Sequence, residues 1–132
     1  MVFTLSNDSA SVIVDSTHGG RLASLRIHDA EVLLTDGPDD TTLTWGCYPM
    51  VPYAGRVRSG VVRFNNIEYQ LPLTLPPHAG HGTVFAQSWT VLDATASSLD
   101  LIADLGSQWP FGGSVTQRIE LRNDHVRLDL RL

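Results

Sequence analysis

The C-terminal stretch of the chain constrains the fold more than any other feature. Ile119 and Leu121, then Val126, Leu128, Leu130 and Leu132, alternate with Arg118, Glu120, Arg122, Arg127, Asp129 and Arg131. Only the two-residue repeat of a β-strand puts those apolar side chains on one face. Asn123-Asp124 sits between the two runs and signals a tight hairpin. Val62 and Phe64, then Ile67, Tyr69 and Leu71, flank Asn65-Asn66 in the same way. Asn tolerates the positive φ that such a turn demands, so this is a second hairpin. Further strands are expected over 2–5, 11–14, 21–27, 31–34, 88–92 and 98–105, separated by Gly19-Gly20, Asp36-Gly37-Pro38 and Gly112-Gly113. Residues 21–34 alone leave room for a helical turn. Short strands with frequent turn signals predict an all-β fold, an antiparallel β-sandwich or barrel.

A length of 132 residues is one domain's worth of chain. Nine cations, all arginine, against fourteen acidic residues leave a net charge of −5. A nucleic-acid or anionic-membrane partner calls for a basic excess, so neither is expected. Cys47 is the only cysteine, which forbids an internal disulfide and provides no redox or zinc motif. No basic leader and no apolar run long enough for a signal or membrane segment occurs, so a cytoplasmic protein is expected. Residues 125–132 are still alternating where the sequence stops. The pattern fits either a terminal strand or a single domain, 1–132, that is incomplete.

Five of the seven prolines fall between Pro49 and Pro77, which makes 45–89 a region of ordered loops around one hairpin. Such loops on a rigid scaffold commonly carry binding residues. In Trp45-Gly46-Cys47-Tyr48-Pro49-Met50-Val51-Pro52-Tyr53-Ala54-Gly55-Arg56-Val57, a planar guanidinium stands beside glycine and near three aromatic rings. Arg56 could hydrogen-bond a polar ligand while Trp45, Tyr48 and Tyr53 stack on the apolar face of a sugar. The competing reading is a surface arginine above core aromatics. His78 and His81 lie three apart in a Pro/Gly loop, where an imidazole suits proton transfer near neutral pH. On pattern alone the plainer reading is solvated loop histidines, and as a metal site they lack a third ligand. There is no nucleophile elbow, P-loop or dinucleotide fingerprint.

The run Tyr48-Pro49-Met50-Val51-Pro52-Tyr53-Ala54-Gly55-Arg56-Val57, then Gly60 to Phe64, the Asn-Asn hairpin, Tyr69-Gln70-Leu71-Pro72 and His78-Ala79-Gly80-His81-Gly82 leading to Trp89, resembles the aldose 1-epimerase (galactose mutarotase) family. The likeness is collinear from about Gly19 to Leu132. It implies the N-terminal part of a galactose-mutarotase-like supersandwich about twice this length. It also implies interconversion of the α and β anomers of a free aldohexose with no metal or organic cofactor. By this resemblance Arg56 binds sugar hydroxyls and His81 is a catalytic and substrate-binding residue near the ring oxygen. Tyr53, Trp45 and His78 are expected as substrate contacts, His78 only peripherally. The family's principal acid, a second histidine, and its base, a glutamate, have no matching positions in this sequence. Two other readings remain: a carbohydrate-binding or regulatory module without catalysis, and a hexose-6-phosphate 1-epimerase using Arg58 and Arg63 beside Arg56. The alternating apolar face near the end predicts self-association, or pairing with a missing C-terminal half.

Overall fold

The computed structural model describes residues 1–35 and 42–132, so the turn expected at Asp36-Gly37-Pro38 lies outside the described residues. Twelve strands are described: β1 (Val2–Ser6), β2 (Ala10–Asp15), β3 (Arg21–Ile27), β4 (Ala30–Glu31), β5 (Arg56–Val57), β6 (Val61–Phe64), β7 (Ile67–Gln70), β8 (Ala79–Gly80), β9 (Thr90–Ala94), β10 (Ser98–Asp104), β11 (Ser114–Leu121) and β12 (Val126–Arg131). A short 3₁₀ turn, Arg58–Gly60, joins β5 to β6. Among the described residues no helix is long and apolar enough to cross a membrane.

The strands form two four-stranded antiparallel sheets, in the orders β1-β2-β3-β4 and β12-β11-β10-β9, with the small pairs β5-β8 and β6-β7 beside them. Alternation decides which side chains enter the core. Leu5, Val12, Val14 and Leu22 from the first sheet meet Leu99, Leu101, Val115, Ile119 and Leu121 from the second, all buried. Trp89 closes this core, its indole N–H donating to Val84 O at 3.1 Å so that no buried donor is left over. The all-β antiparallel expectation is therefore correct.

Both hairpins form where the alternation placed them. β6 and β7 turn through Asn65 and Asn66 with φ of 50° and 62°, the left-handed region that Asn accepts. Around Asn123-Asp124, Leu121 pairs with Val126 and Arg122 N donates to His125 O at 2.9 Å.

The strand expected over 31–34 is corrected to the two residues of β4. Oε1 of Glu31 accepts from the backbone N–H groups of Leu25 and Leu33, each at 3.0 Å, and its other oxygen takes the Ser24 hydroxyl. A carboxylate engaging these donors replaces the ladder that would have continued the strand. The strand expected over 88–92 begins later, at Thr90, because Trp89 N instead donates to Ser16 O at 2.7 Å and ties the segment to the first sheet. Residues 21–27 are strand throughout, with no helical turn.

Candidate functional site

The Pro-rich loops are brought together by a two-residue ladder. Arg56 pairs with Gly80 and Val57 with Ala79, and His81 N continues the register by donating to Gly55 O at 2.9 Å. The segments that carry Arg56 and His81 thereby run side by side although 25 residues separate the two in sequence. Arg56 is exposed and its guanidinium makes no hydrogen bond or ion pair with any described residue. Gly55 has φ of 70°, and a Cβ there would meet nothing within 4 Å, so the space beside Arg56 is open.

His81 is held in an uncommon backbone state. Its φ is 61°, and Gly82 follows at 78°, giving two consecutive left-handed residues. Such conformations cost about 1–3 kcal/mol for a non-glycine residue and persist where neighbours over-determine them. Here the neighbours are the His81 N–H bond to Gly55, a parallel bridge between Val51 and Gly82, and Thr83 N donating to Val51 O at 2.9 Å. The imidazole stands edge-on to the Tyr48 ring at 6.4 Å, and its Nδ1 is buried without a partner.

The remaining expected site residues surround this pair unequally. Tyr53 packs on Trp109 at 6.0 Å, its hydroxyl buried and unpartnered, and burial pushes its pKa up. His78 accepts at Nδ1 from Ser59 N at 3.2 Å and so braces the 3₁₀ turn that follows β5. Trp45 is half-buried, with one ring face covered by a guanidinium carbon 4.2 Å from its centroid. Arg63 pairs with Glu68 across the β6-β7 hairpin at 2.9 Å, so its charge is engaged away from Arg56. A hollow of about 280 Å³ is lined by residues including Tyr48, Met50, Ala54, Gln117, Leu128 and Leu130, but not by Arg56 or His81.

The guanidinium over Trp45 belongs to Arg21, whose role sequence reasoning missed. Arg21 is fully buried and donates to four backbone carbonyls: His18 at 2.7 Å, Trp45 at 2.7 Å, Thr42 at 2.6 Å and Phe85 at 3.1 Å. It lies between the rings of Trp45 and Tyr48, 4.9 Å from the latter's centroid. Burial pulls its pKa down, while Tyr48 and Asp15 oppose that shift; the group stays charged. One side chain thus links the β2–β3 turn, the aromatic loop and the segment after His81. The signal available in sequence was Gly19-Gly20-Arg21, an arginine following two flexible residues at the start of a strand.

Asp15 supports the same corner. Burial pushes its carboxyl up, but hydrogen bonds from the Thr17 hydroxyl (2.6 Å), His18 Nδ1 (2.7 Å) and Thr17 N (2.9 Å) outweigh this and hold its pKa below the ordinary carboxylate value. A carboxylate depressed in the folded state stabilises the fold above its unfolded pKa, and that contribution is lost as pH falls through the folded value. Asp15→Asn is therefore expected to lower stability at neutral pH and to shallow its decline below about pH 4. Urea denaturation midpoints across the acid range measure both effects; parallel wild-type and variant curves would refute the assignment. Among the described residues no three His, Cys, Asp or Glu side chains gather as a metal site.

Residues 1–132 match the aldose 1-epimerase family along their whole length. The chain belongs to the aldose 1-epimerase family. The uncharacterized protein YihR of Escherichia coli K12 is 29% identical over 119 residues, which are 88% of this chain and 39% of YihR. A proposed aldose 1-epimerase of Escherichia coli K12 has a similar structure, with a TM-score of 0.86 at 24% identity over 98% of this chain and 45% of that one. Galactose 1-epimerase from Lactobacillus acidophilus NCFM gives 0.70 at 23% identity over 93% of this chain and 40% of that one. These structural likenesses concern the fold. The chain spans less than half the length of each of these relatives.

Proposed function

We propose that this aldose 1-epimerase family chain supplies the sugar-holding share of an isomerase site, which interconverts the α and β anomers of a free aldohexose by acid/base ring opening. The observation that supports the reading is the β5-β8 ladder, which brings the two loops together at Arg56 and Gly80, with the Arg56 guanidinium unpaired among the described residues and His81 Nδ1 buried without a partner. In this chemistry a base takes the C1 hydroxyl proton while an acid protonates the ring oxygen; the C1–O bond opens, C1 turns about its bond to C2, and the ring closes on the other face. Arg56 holds sugar hydroxyls with its planar fork of donors, and His81 polarises the region of the ring oxygen. The 132 residues contain no counterpart of the family's second histidine and base glutamate. On this reading those groups come from further chain completing the sandwich, and the present residues are one part of a larger domain.

The alternative reading is a sugar-binding or regulatory module without turnover. Titration calorimetry with galactose and glucose, together with polarimetry of freshly dissolved α-anomers, separates the two. Arg56→Ala is expected to weaken sugar binding about ten- to a hundredfold, the worth of hydrogen bonds from a charged donor, with the unfolding midpoint unchanged. His81→Asn is expected to remove any acceleration over buffer. Binding without acceleration supports the module, and no binding of either sugar removes both readings.

A further inference from the structure

The loop that leads into His81 is clasped at its base by one hydroxyl. His81 N donates to Gly55 O at 2.9 Å, one position beyond the pairing of Arg56 with Gly80. Antiparallel pairs alternate between hydrogen-bonded and non-hydrogen-bonded, so Gly80 turns its own N–H and C=O away from Arg56, to the outer side of β8. Both groups meet the same atom there. Gly80 N donates to the Thr74 hydroxyl oxygen, and that hydroxyl donates to Gly80 O, each at 2.9 Å. Gly80 is buried, and Leu75 lies so close that an added Cβ would come 2.3 Å from Leu75 Cδ1. Within the loop, Leu75 N donates to His78 O at 3.0 Å and His78 N to Leu75 O at 2.8 Å.

We propose that Thr74 is a positioning residue for the candidate site. Its hydroxyl stands in for a neighbouring strand along the outer side of β8 and so fixes the backbone from which His81 projects. A hydroxyl suits this task because it offers a donor and an acceptor at one point, which matches the C=O and N–H of a single residue. Gly80 is thereby held between Arg56 on one side and Thr74 on the other. His81 follows directly, left-handed at φ of 61°, where a rotation of the preceding peptide re-aims the imidazole. His78 braces a different element, since its Nδ1 accepts from Ser59 N in the 3₁₀ turn. The bearing of Thr74 on sugar rests on the function proposed above, whereas the clasp itself needs no ligand.

Thr74→Val keeps the shape of the side chain and removes the hydroxyl, which leaves Gly80 N–H and C=O without that partner. Hydrogen exchange of the Gly80 and His81 amides is expected to quicken about tenfold, with the β10 and β11 amides unchanged, and the His81 ring-proton shifts to move. Affinity for galactose or glucose, by titration calorimetry, is expected to fall about tenfold. Thr74→Ser keeps donor and acceptor and is expected to restore all three. Thr95→Val is the control for a merely structural loss, because the Thr95 hydroxyl accepts from Ser97 N and Ser98 N in the β9–β10 turn. It is expected to leave the His81 exchange and ring shifts as in wild type. The proposal is overturned if Thr74→Val leaves them unchanged too, if exchange quickens equally throughout the chain, or if the serine variant behaves as the valine one. It is also overturned if the valine variant binds sugar as tightly as a wild type that does bind. A wild type that binds neither sugar defeats the proposed function, and the exchange and shift measurements then decide the clasp by themselves.

Discussion

Replacing Arg21 with methionine is expected to cost about 3–5 kcal/mol of folding stability, more than any surface change in this chain. The guanidinium is fully buried and satisfies the carbonyls of His18, Trp45, Thr42 and Phe85. Methionine fills similar space but donates nothing, so these acceptors lose their partner, at about 1–3 kcal/mol for each one that water cannot reach. It also removes the cation from between the Trp45 and Tyr48 rings. Because Tyr48 stands against the His81 imidazole, sugar binding should fall with stability, unlike the Arg56→Ala case. Arg21→Lys keeps the charge but offers one nitrogen in place of three, so only partial recovery is expected. Urea denaturation with an unchanged m-value measures the loss. A loss under about 1 kcal/mol would mean that water replaces the guanidinium at these carbonyls.

Gly82→Ala is expected to be the most damaging single methyl in the site, lowering stability by about 2–4 kcal/mol and displacing His81. The added Cβ would lie 1.9 Å from Val51 O and 2.4 Å from Val51 C, against backbone rather than a flexible side chain. Relief requires opening the Val51–Gly82 bridge and the Thr83 N to Val51 O bond, two of the contacts that hold His81 left-handed. Gly55→Ala is the comparison, because its Cβ meets open space and carries only the conformational penalty of its positive φ, about 1–2 kcal/mol. Thermal unfolding of the two variants, with NMR shifts of the His81 ring protons, separates crowding from backbone preference. Equal effects at the two glycines would show that φ alone matters.

Legibility from sequence followed the range of the interactions involved. Alternation located β11-β12 and β6-β7 because a strand's own side-chain period and its turn residues are local properties. The 31–34 run has strand-like apolar residues, yet the strand stops at Glu31 because the decisive acceptor is the Glu31 carboxylate folding back on Ser24, Leu25 and Leu33. The two halves of the candidate site were visible as Pro/Gly-rich segments with Arg56 and His81 in them. Their adjacency was not visible, because it rests on a two-residue ladder with no periodicity to detect.

By itself the sequence determined the all-β class, both hairpins, and family membership through its ordered motifs. These depend on patterns within a few residues or on the order of short blocks. Only the tertiary structure decided that Arg21 is an internal knot rather than a surface cation, that Trp45 gives one face to it, and that Leu128 and Leu130 stay uncovered beside an open edge. Each of those outcomes depends on which backbone groups and side chains arrive from distant segments. No local pattern encodes that arrival, since a buried arginine and an exposed leucine differ from their common counterparts only in what packs against them.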